Sequence, residues 1–250
     1  MNRRLAATLP ALALALLLAP AAARADERPF AFTYEARTEA AGETELELYE
    51  TFYAPHSGGR DARSWVHQLE LGRGLTERSD VALYTVFRST SANAFELDAM
   101  KLRGRYRLFM NGEAPVDVVL YLEAEKELVD DQPWAIEEKL ILGRDFGRVS
   151  FAVNLRAEQE FPKDAAVERK YGWSGGVAAR IADGFKLGVE SVGELKDGAT
   201  ATWLGPSALV ALPFLARGPF MSSWLTVGVG FGLNEHSDDV RARALVGADF

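Results

Sequence analysis

Apolar and polar residues alternate with a period of two, in segments of roughly ten residues separated by turn residues. Leu46, Leu48 and Phe52 alternate with Glu45, Glu47, Tyr49 and Thr51. Met100, Leu102, Tyr106 and Leu108 alternate with Lys101, Arg103, Arg105 and Arg107. Val118, Leu120, Leu122 and Ala124 alternate with Asp117, Tyr121, Glu123 and Glu125. The same pattern runs through 149–158, and again from Val240 to Phe250 with Arg241, Arg243 and Asp249 on the polar side. No stretch sustains a helical period. The pattern predicts strands near 44–54, 63–73, 80–88, 97–109, 116–127, 135–143, 148–160, 170–181, 185–194, 202–213, 222–233 and 239–250. An even number of strands is what a single-chain bacterial barrel requires. A further extended piece, 29–37, precedes them.

The connections give the strands a direction. If Phe250 ends in the periplasm, alternate connections are short periplasmic turns. These are expected at Gly74–Ser79, Asn111-Gly112, Asp145–Arg148, Ala182–Phe185 and Ala216–Phe220. Their Asn-Gly and Asp-Gly pairs suit tight hairpins. The outer connections, among them Pro55–Ala62, Phe161–Lys170 and Leu195–Ala201, are expected to be longer. On this parity 29–37 cannot cross, so 26–43 is expected to be a periplasmic extension with 44–250 as the barrel. Aromatic residues gather at predicted strand ends, as in the two interfacial girdles of membrane barrels. Tyr53, Trp65, Phe87, Trp134, Phe161, Tyr171 and Trp203 fall on the outer side. Phe109, Phe146, Phe185, Phe214, Phe220 and Phe250 fall on the inner side.

The chain start changes the picture of location. Arg3 and Arg4 precede an apolar run from Leu5 to Pro20, and Ala23-Arg24-Ala25 is a small-x-small cleavage pattern. Residues 1–25 therefore read as a signal peptide. Beyond them no apolar run is long enough for a membrane helix; 208–216 is short and contains Pro213. The net charge is −8, and losing Arg3, Arg4 and Arg24 takes it to −11. That disfavours nucleic acid as a partner, because phosphate neutralisation needs clustered Lys and Arg. With no cysteine, disulfides, thiolate metal sites and cysteine nucleophiles are excluded.

The polar face separates a membrane barrel from a soluble sandwich. Lys101, Arg103, Arg105 and Arg107 sit on one strand, and Glu123, Glu125 and Glu127 on the next. Lipid would penalise such charges by several kcal/mol, so a membrane barrel turns them into its lumen. Opposite signs on adjacent strands then predict cross-strand ion pairs. Arg156, Glu158, Arg180, Glu190, Arg241 and Arg243 extend the set of lumen-lining candidates, with Lys186 beside them. The fold class expected is all-β: an antiparallel up-and-down transmembrane barrel of about 12 strands behind a cleaved signal peptide. Its place is the outer membrane of a Gram-negative bacterium. Its expected partners are outer-membrane lipid, lipopolysaccharide and, through the terminal Phe250, the barrel-assembly machinery.

Several short stretches carry a family likeness: Thr33-Tyr34-Glu35-Ala36, Gly42 to Glu47, Leu69 to Arg78, Glu138 to Gly143 and Gly205-Pro206-Ser207. On these the chain resembles a family of proteobacterial outer-membrane barrel proteins. That family is loosely similar to the outer-membrane channels encoded with phenol meta-cleavage pathways. The resemblance implies a barrel and no catalytic residues.

Three functions fit these residues. A narrow channel for small polar solutes would be lined by the charged rows, which select by field when they face each other across water. A non-conducting structural or surface-interaction barrel would be filled by their ion pairs. A lipid-modifying enzyme would need an oriented Ser–His pair near the lipid interface. His67 lies near Ser64, and His236 lies beside Ser237 and Asn234, but neither forms a recognisable motif. No enzyme, cofactor or metal is expected. Glu235, His236, Asp238 and Asp239 could offer oxygen ligands to a divalent cation, but a solvated acidic loop is the favoured reading of them.

Overall fold

The computed structural model of the chain describes residues 28–56, 63–91, 95–110, 112–129, 134–196, 198–215 and 220–250. The proposed signal peptide lies outside these residues. Twelve strands follow in order: β1 (Thr44–Ala54), β2 (Ser64–Thr76), β3 (Ser79–Thr90), β4 (Glu96–Arg107), β5 (Asp117–Glu127), β6 (Trp134–Phe146), β7 (Val149–Phe161), β8 (Glu168–Ala182), β9 (Phe185–Lys196), β10 (Ala199–Ala211), β11 (Ser222–Gly232) and β12 (Val240–Asp249). Each pairs antiparallel with its sequence neighbour, and β12 pairs with β1 to close the barrel. The seam is tied at its end by reciprocal backbone hydrogen bonds between Thr44 and Phe250. The Phe250 ring packs edge-on against Phe220, 5.9 Å away.

The alternation read from the sequence is the wall of this barrel. Leu46, Leu48, Leu69, Leu71, Leu102, Leu120, Leu122, Leu155, Leu187 and Val246 are exposed on its outside. Glu45, Glu47, Glu70, Asp80, Arg103 and Glu190 are buried inside it. A soluble barrel has the reverse polarity, so this one takes lipid as its outer solvent. Strands of 10–15 residues match the length of a tilted membrane crossing.

Three details differ from expectation. The short turn expected around Asn111-Gly112 is a longer connection, 108–116, between β4 and β5, with Asn111 itself outside the described residues. The connection expected at 195–201 is short: β9 runs to Lys196 and β10 starts at Ala199, with Gly198 at φ 80°. Tyr53 and Trp203 are not girdle residues. Both belong to the inward parity, and Trp203 is buried beneath the Arg241 guanidinium, 3.9 Å from its ring. Trp65, Trp134, Phe161 and Tyr171 do face outward.

The larger difference is residues 28–43, which are no periplasmic extension outside the barrel. They enter its interior at the end where β1 starts. Arg37 pairs with Asp145 on β6, and the Glu39 N–H bonds Asp80 on β3. Tyr34 meets β7, residues 31–33 meet β9, and Arg28 returns to β1 and β11. Loop parity constrains only strands that cross lipid, and residues 28–40 cross none: they satisfy backbone groups on lumen side chains.

The lumen as candidate functional site

The N-terminal segment is held by side chains aimed at its backbone. One Glu190 oxygen accepts the Ala31 N–H at 2.7 Å. The other accepts those of Phe32 at 2.9 Å and Thr33 at 3.0 Å. Asn154 accepts the Tyr34 N–H and donates to the Tyr34 carbonyl, both at 2.8 Å. Arg243 donates to the Ala31 carbonyl at 3.2 Å, and Thr226 donates to that of Arg28. The segment's own side chains fill what remains. Phe30 is fully buried and sits where a Cβ on Gly176 would come within 2.6 Å of its ring. Ala31 sits equally close to Gly228. Both glycines make room for the segment.

Beneath it lies a buried ionic network. Arg103 bonds Glu70 at 2.8 Å and Asp80 at 3.3 Å. Arg105 bonds Asp80 and also Glu39 of the inner segment, at 2.8 and 2.9 Å. Arg28 bonds Glu47 at 2.5 Å. The Tyr49 hydroxyl donates within the same cluster, 2.5 Å from Glu47 and 2.6 Å from Glu70. Glu45, Glu47 and Glu70 bring carboxylate oxygens within 4.8 Å of one another. Arg28 and Arg103 supply positive charge there, which serves the role a bound cation would.

Above the segment the lumen holds a cavity of about 330 Å³. Phe32 and Tyr34 border it at the segment, and Tyr53, Lys101, Glu125, Arg156, Glu194 and Arg241 line its walls. Cations stack on rings there. Arg241 lies 5.1 Å from the Tyr53 ring as well as against Trp203. Lys139 lies between Tyr34 and Tyr121, at 4.8 and 4.0 Å. Such contacts keep a cationic group desolvated and oriented.

The sequence candidates divide between these two levels. Lys101 bridges Glu123 at 3.3 Å and Glu125 at 2.8 Å on the adjacent strand. Arg156 bridges Glu137 and Glu158, each at 3.3 Å. Arg241 bonds Glu194 at 2.7 Å, and Arg243 bonds Thr51 at 2.8 Å. These line the upper level. Arg103, Arg105 and Glu190 belong to the network and the segment. Arg107 turns to Asp117 at 3.2 Å near the inner end, and Arg180 is exposed at the end of β8. Lys101, Arg156 and Arg107 pair with neighbouring strands of the wall, whereas Arg241 on β12 reaches Glu194 on β9, past β11 and β10. Arg103 reaches back across β3 to β2 although Glu123 on β5 is its register partner: the small Ala82 and Gly72 lie opposite it on that side, and Asp80 and Glu70 flank them one inward position to either side. Residues the sequence reading passed over are Arg28, Phe30, Tyr34, Glu39, Tyr49 and Tyr84. The signal available is the extended 29–37 itself, mostly apolar and aromatic, with Arg28 before it and Arg37 at its end.

The outer acidic loop is already engaged. Asp239 bonds His56 at 2.7 Å, and Asp238 lies 3.7 Å from Arg241. Ser237 bonds Thr202 and Asn234, so its hydroxyl has partners other than His236.

No protein-family model matches the sequence, and no curated protein matches it. Solved structures do. An outer-membrane channel from Pseudomonas putida F1 superposes with a TM-score of 0.60 at 15% identity, covering 86% of this chain and 98% of that one. The NanC porin superposes at 0.57 with 11% identity, covering 82% of this chain and 98% of its own. The KdgM porin, solved in complex with a disordered oligogalacturonate, gives 0.55 at 9% identity over the same shares. At such identities the likeness is one of fold.

Proposed function

We propose that this barrel is a narrow channel for small polar solutes in the outer membrane of a Gram-negative bacterium, restricted from within by residues 28–40. The observation that carries this reading is the two-level lumen. An aromatic and charged cavity stands above a segment fastened by hydrogen bonds and ion pairs, not by wall strands. A filling designed only for rigidity would leave no 330 Å³ space lined by paired charges and rings. Rings with neighbouring cations and carboxylates suit solutes that carry hydroxyl, carboxylate or ammonium groups. Passage itself calls for no catalytic chemistry in the lumen. Phe250, paired at the seam, is the residue proposed to be read during assembly.

Conductance tests the reading. Ala36 faces Gly143 on β6, and a Cβ placed there would lie 3.4 Å from that of Ala36. That is just under the spacing a disulfide needs, in a chain without other cysteines. In planar bilayers, A36C/G143C should conduct less when oxidised than when reduced. A variant lacking residues 28–36 should show larger unitary conductance than the intact barrel. The competing reading draws on the ionic network and makes the barrel a closed scaffold. It predicts no conductance in any of these states, and that result would remove the channel.

A further inference from the structure

We propose that Glu50, His67 and Ser89 form a serine-hydrolase relay on the lipid-facing wall, acting on acyl esters of outer-leaflet lipids. This site is on the opposite face of the wall from the lumen and does not depend on conduction.

The alternation places all three outward. On β1, Glu50 shares its face with Leu46, Leu48 and Phe52, while Tyr49, Thr51 and Tyr53 belong to the inward set. On β2, His67 stands between Trp65 and Leu69, both exposed. On β3, Ser89 shares its face with Leu83 and Phe87. Register then aligns them: Glu50 is opposite His67, His67 is opposite Phe87, and Ser89 is opposite Trp65. The result is a chain of contacts across three strands. His67 Nδ1 lies 2.5 Å from Glu50 Oε2, and His67 Nε2 lies 3.1 Å from Ser89 Oγ. The sequence neighbour Ser64 is not the partner, since three residues along a strand reverse the face.

The chemistry follows from the geometry. A carboxylate beside Nδ1 takes that N–H, so Nε2 is left as the acceptor for the Ser89 hydroxyl. This is the arrangement in which a serine becomes nucleophilic. The Phe95 backbone N–H donates to Ser89 Oγ at 3.1 Å. Phe95 has φ 65°, a conformation uncommon for a bulky residue and found where a site imposes it. That N–H holds the Ser89 oxygen in place beside the imidazole.

Position argues against a purely structural role. An ionisable group on a lipid-facing wall lowers stability, and leucine would serve the barrel better. The trio also lies at the right depth. Ser89 is one residue from the outer end of β3, His67 three from that of β2 and Glu50 four from that of β1. Aromatic rings surround it: Phe52 on Trp65 at 5.0 Å, Phe95 on His67 at 5.1 Å and Phe95 on Phe87 at 4.7 Å. Such rings settle at the membrane interface, where lipid ester carbonyls lie between headgroup and chain.

The reaction balances without a further reagent than water. Ser89 Oγ bonds the ester carbonyl carbon as its proton passes to His67 Nε2. The bond from carbonyl carbon to the alcohol oxygen breaks, and that oxygen takes the proton from Nε2, leaving acyl-Ser89. Water then attacks the acyl carbon, giving a proton to Nε2. The Oγ–carbon bond breaks, Oγ recovers the proton, and a fatty acid leaves. Ser89 and His67 are the catalytic residues; Glu50 positions the imidazole.

The test uses the full barrel refolded in detergent, with its shift in gel mobility on heating as the control for folding. Mixed micelles of phosphatidylethanolamine form one arm and lipopolysaccharide the other, read as released fatty acid. Release from either supports the proposal and names the lipid. Ser89→Ala or His67→Ala should lower it about 100-fold or more. Glu50→Gln should lower kcat with KM little changed, and Glu50→Asp should recover part of it. A fluorophosphonate should label Ser89 in the parent protein and fail to label His67→Ala. No release from either lipid, or release that survives Ser89→Ala, overturns the proposal.

Discussion

The Arg103 guanidinium lies 2.8 Å from the Glu70 carboxylate, and both side chains are completely buried inside the barrel. Removing one partner of such a pair strands the other's charge away from water. Arg103→Ala is therefore expected to destabilise the barrel by about 3–5 kcal/mol. Replacing both, as in R103M/E70L, should lose much less, because no charge of that pair is left uncompensated. Denaturant unfolding in detergent measures the difference.

Glu190 is the main clamp on the inner segment, accepting three backbone N–H groups. Hydrogen bonds to a charged acceptor contribute about 1.5–3 kcal/mol each. Glu190→Ala should release the segment while leaving the wall closed. Limited proteolysis should then cut within residues 28–36 at least tenfold faster, with unchanged heat-dependent gel mobility. Glu190→Gln, which keeps acceptor oxygen without the charge, should fall between.

The His56–Asp239 contact joins the two outer connections beside the β1–β12 seam. The hydrogen bond to Asp239, and then its negative charge, raise the His56 pKa above its ordinary value. A raised histidine pKa stabilises the folded state fully below the unfolded value, about 6.5. That contribution is lost as pH climbs through the raised folded value. Both groups are exposed, so the effect is local. Imidazole NMR should show His56 titrating above 6.5 in the parent and falling back toward it in Asp239→Asn.

Trp224 is fully buried against Gly247, where a Cβ would come within 2.2 Å of the indole. Gly247→Ala must shift backbone or ring and should cost about 1–3 kcal/mol. Gly104 has open space around its would-be Cβ. Gly104→Ala should be neutral or slightly stabilising, by restricting the unfolded chain. Paired unfolding curves compare the two.

How much was legible in the sequence can be argued residue by residue. Every expected wall strand is present, and the Asp183-Gly184 turn stands between β8 and β9 with Gly184 at φ 68°. Strand ends moved by a few residues, since cross-strand pairing and not composition stops a strand. The charged rows were readable because Lys101 to Arg107 and Glu123 to Glu127 keep strict alternation. Glu50 was readable too, as a carboxylate at an apolar position between Leu48 and Phe52. It was passed over because one polar residue on a stripe looks like noise until its neighbours are known.

By itself the sequence determined the strands, their faces and the inverted polarity, because alternation is a local property of extended chain. Only the tertiary structure decided which charges pair, where residues 28–43 go and which serine meets His67. Those depend on register across strands far apart in sequence and on a closed lumen, whose buried acceptors can hold a segment that no local pattern places there.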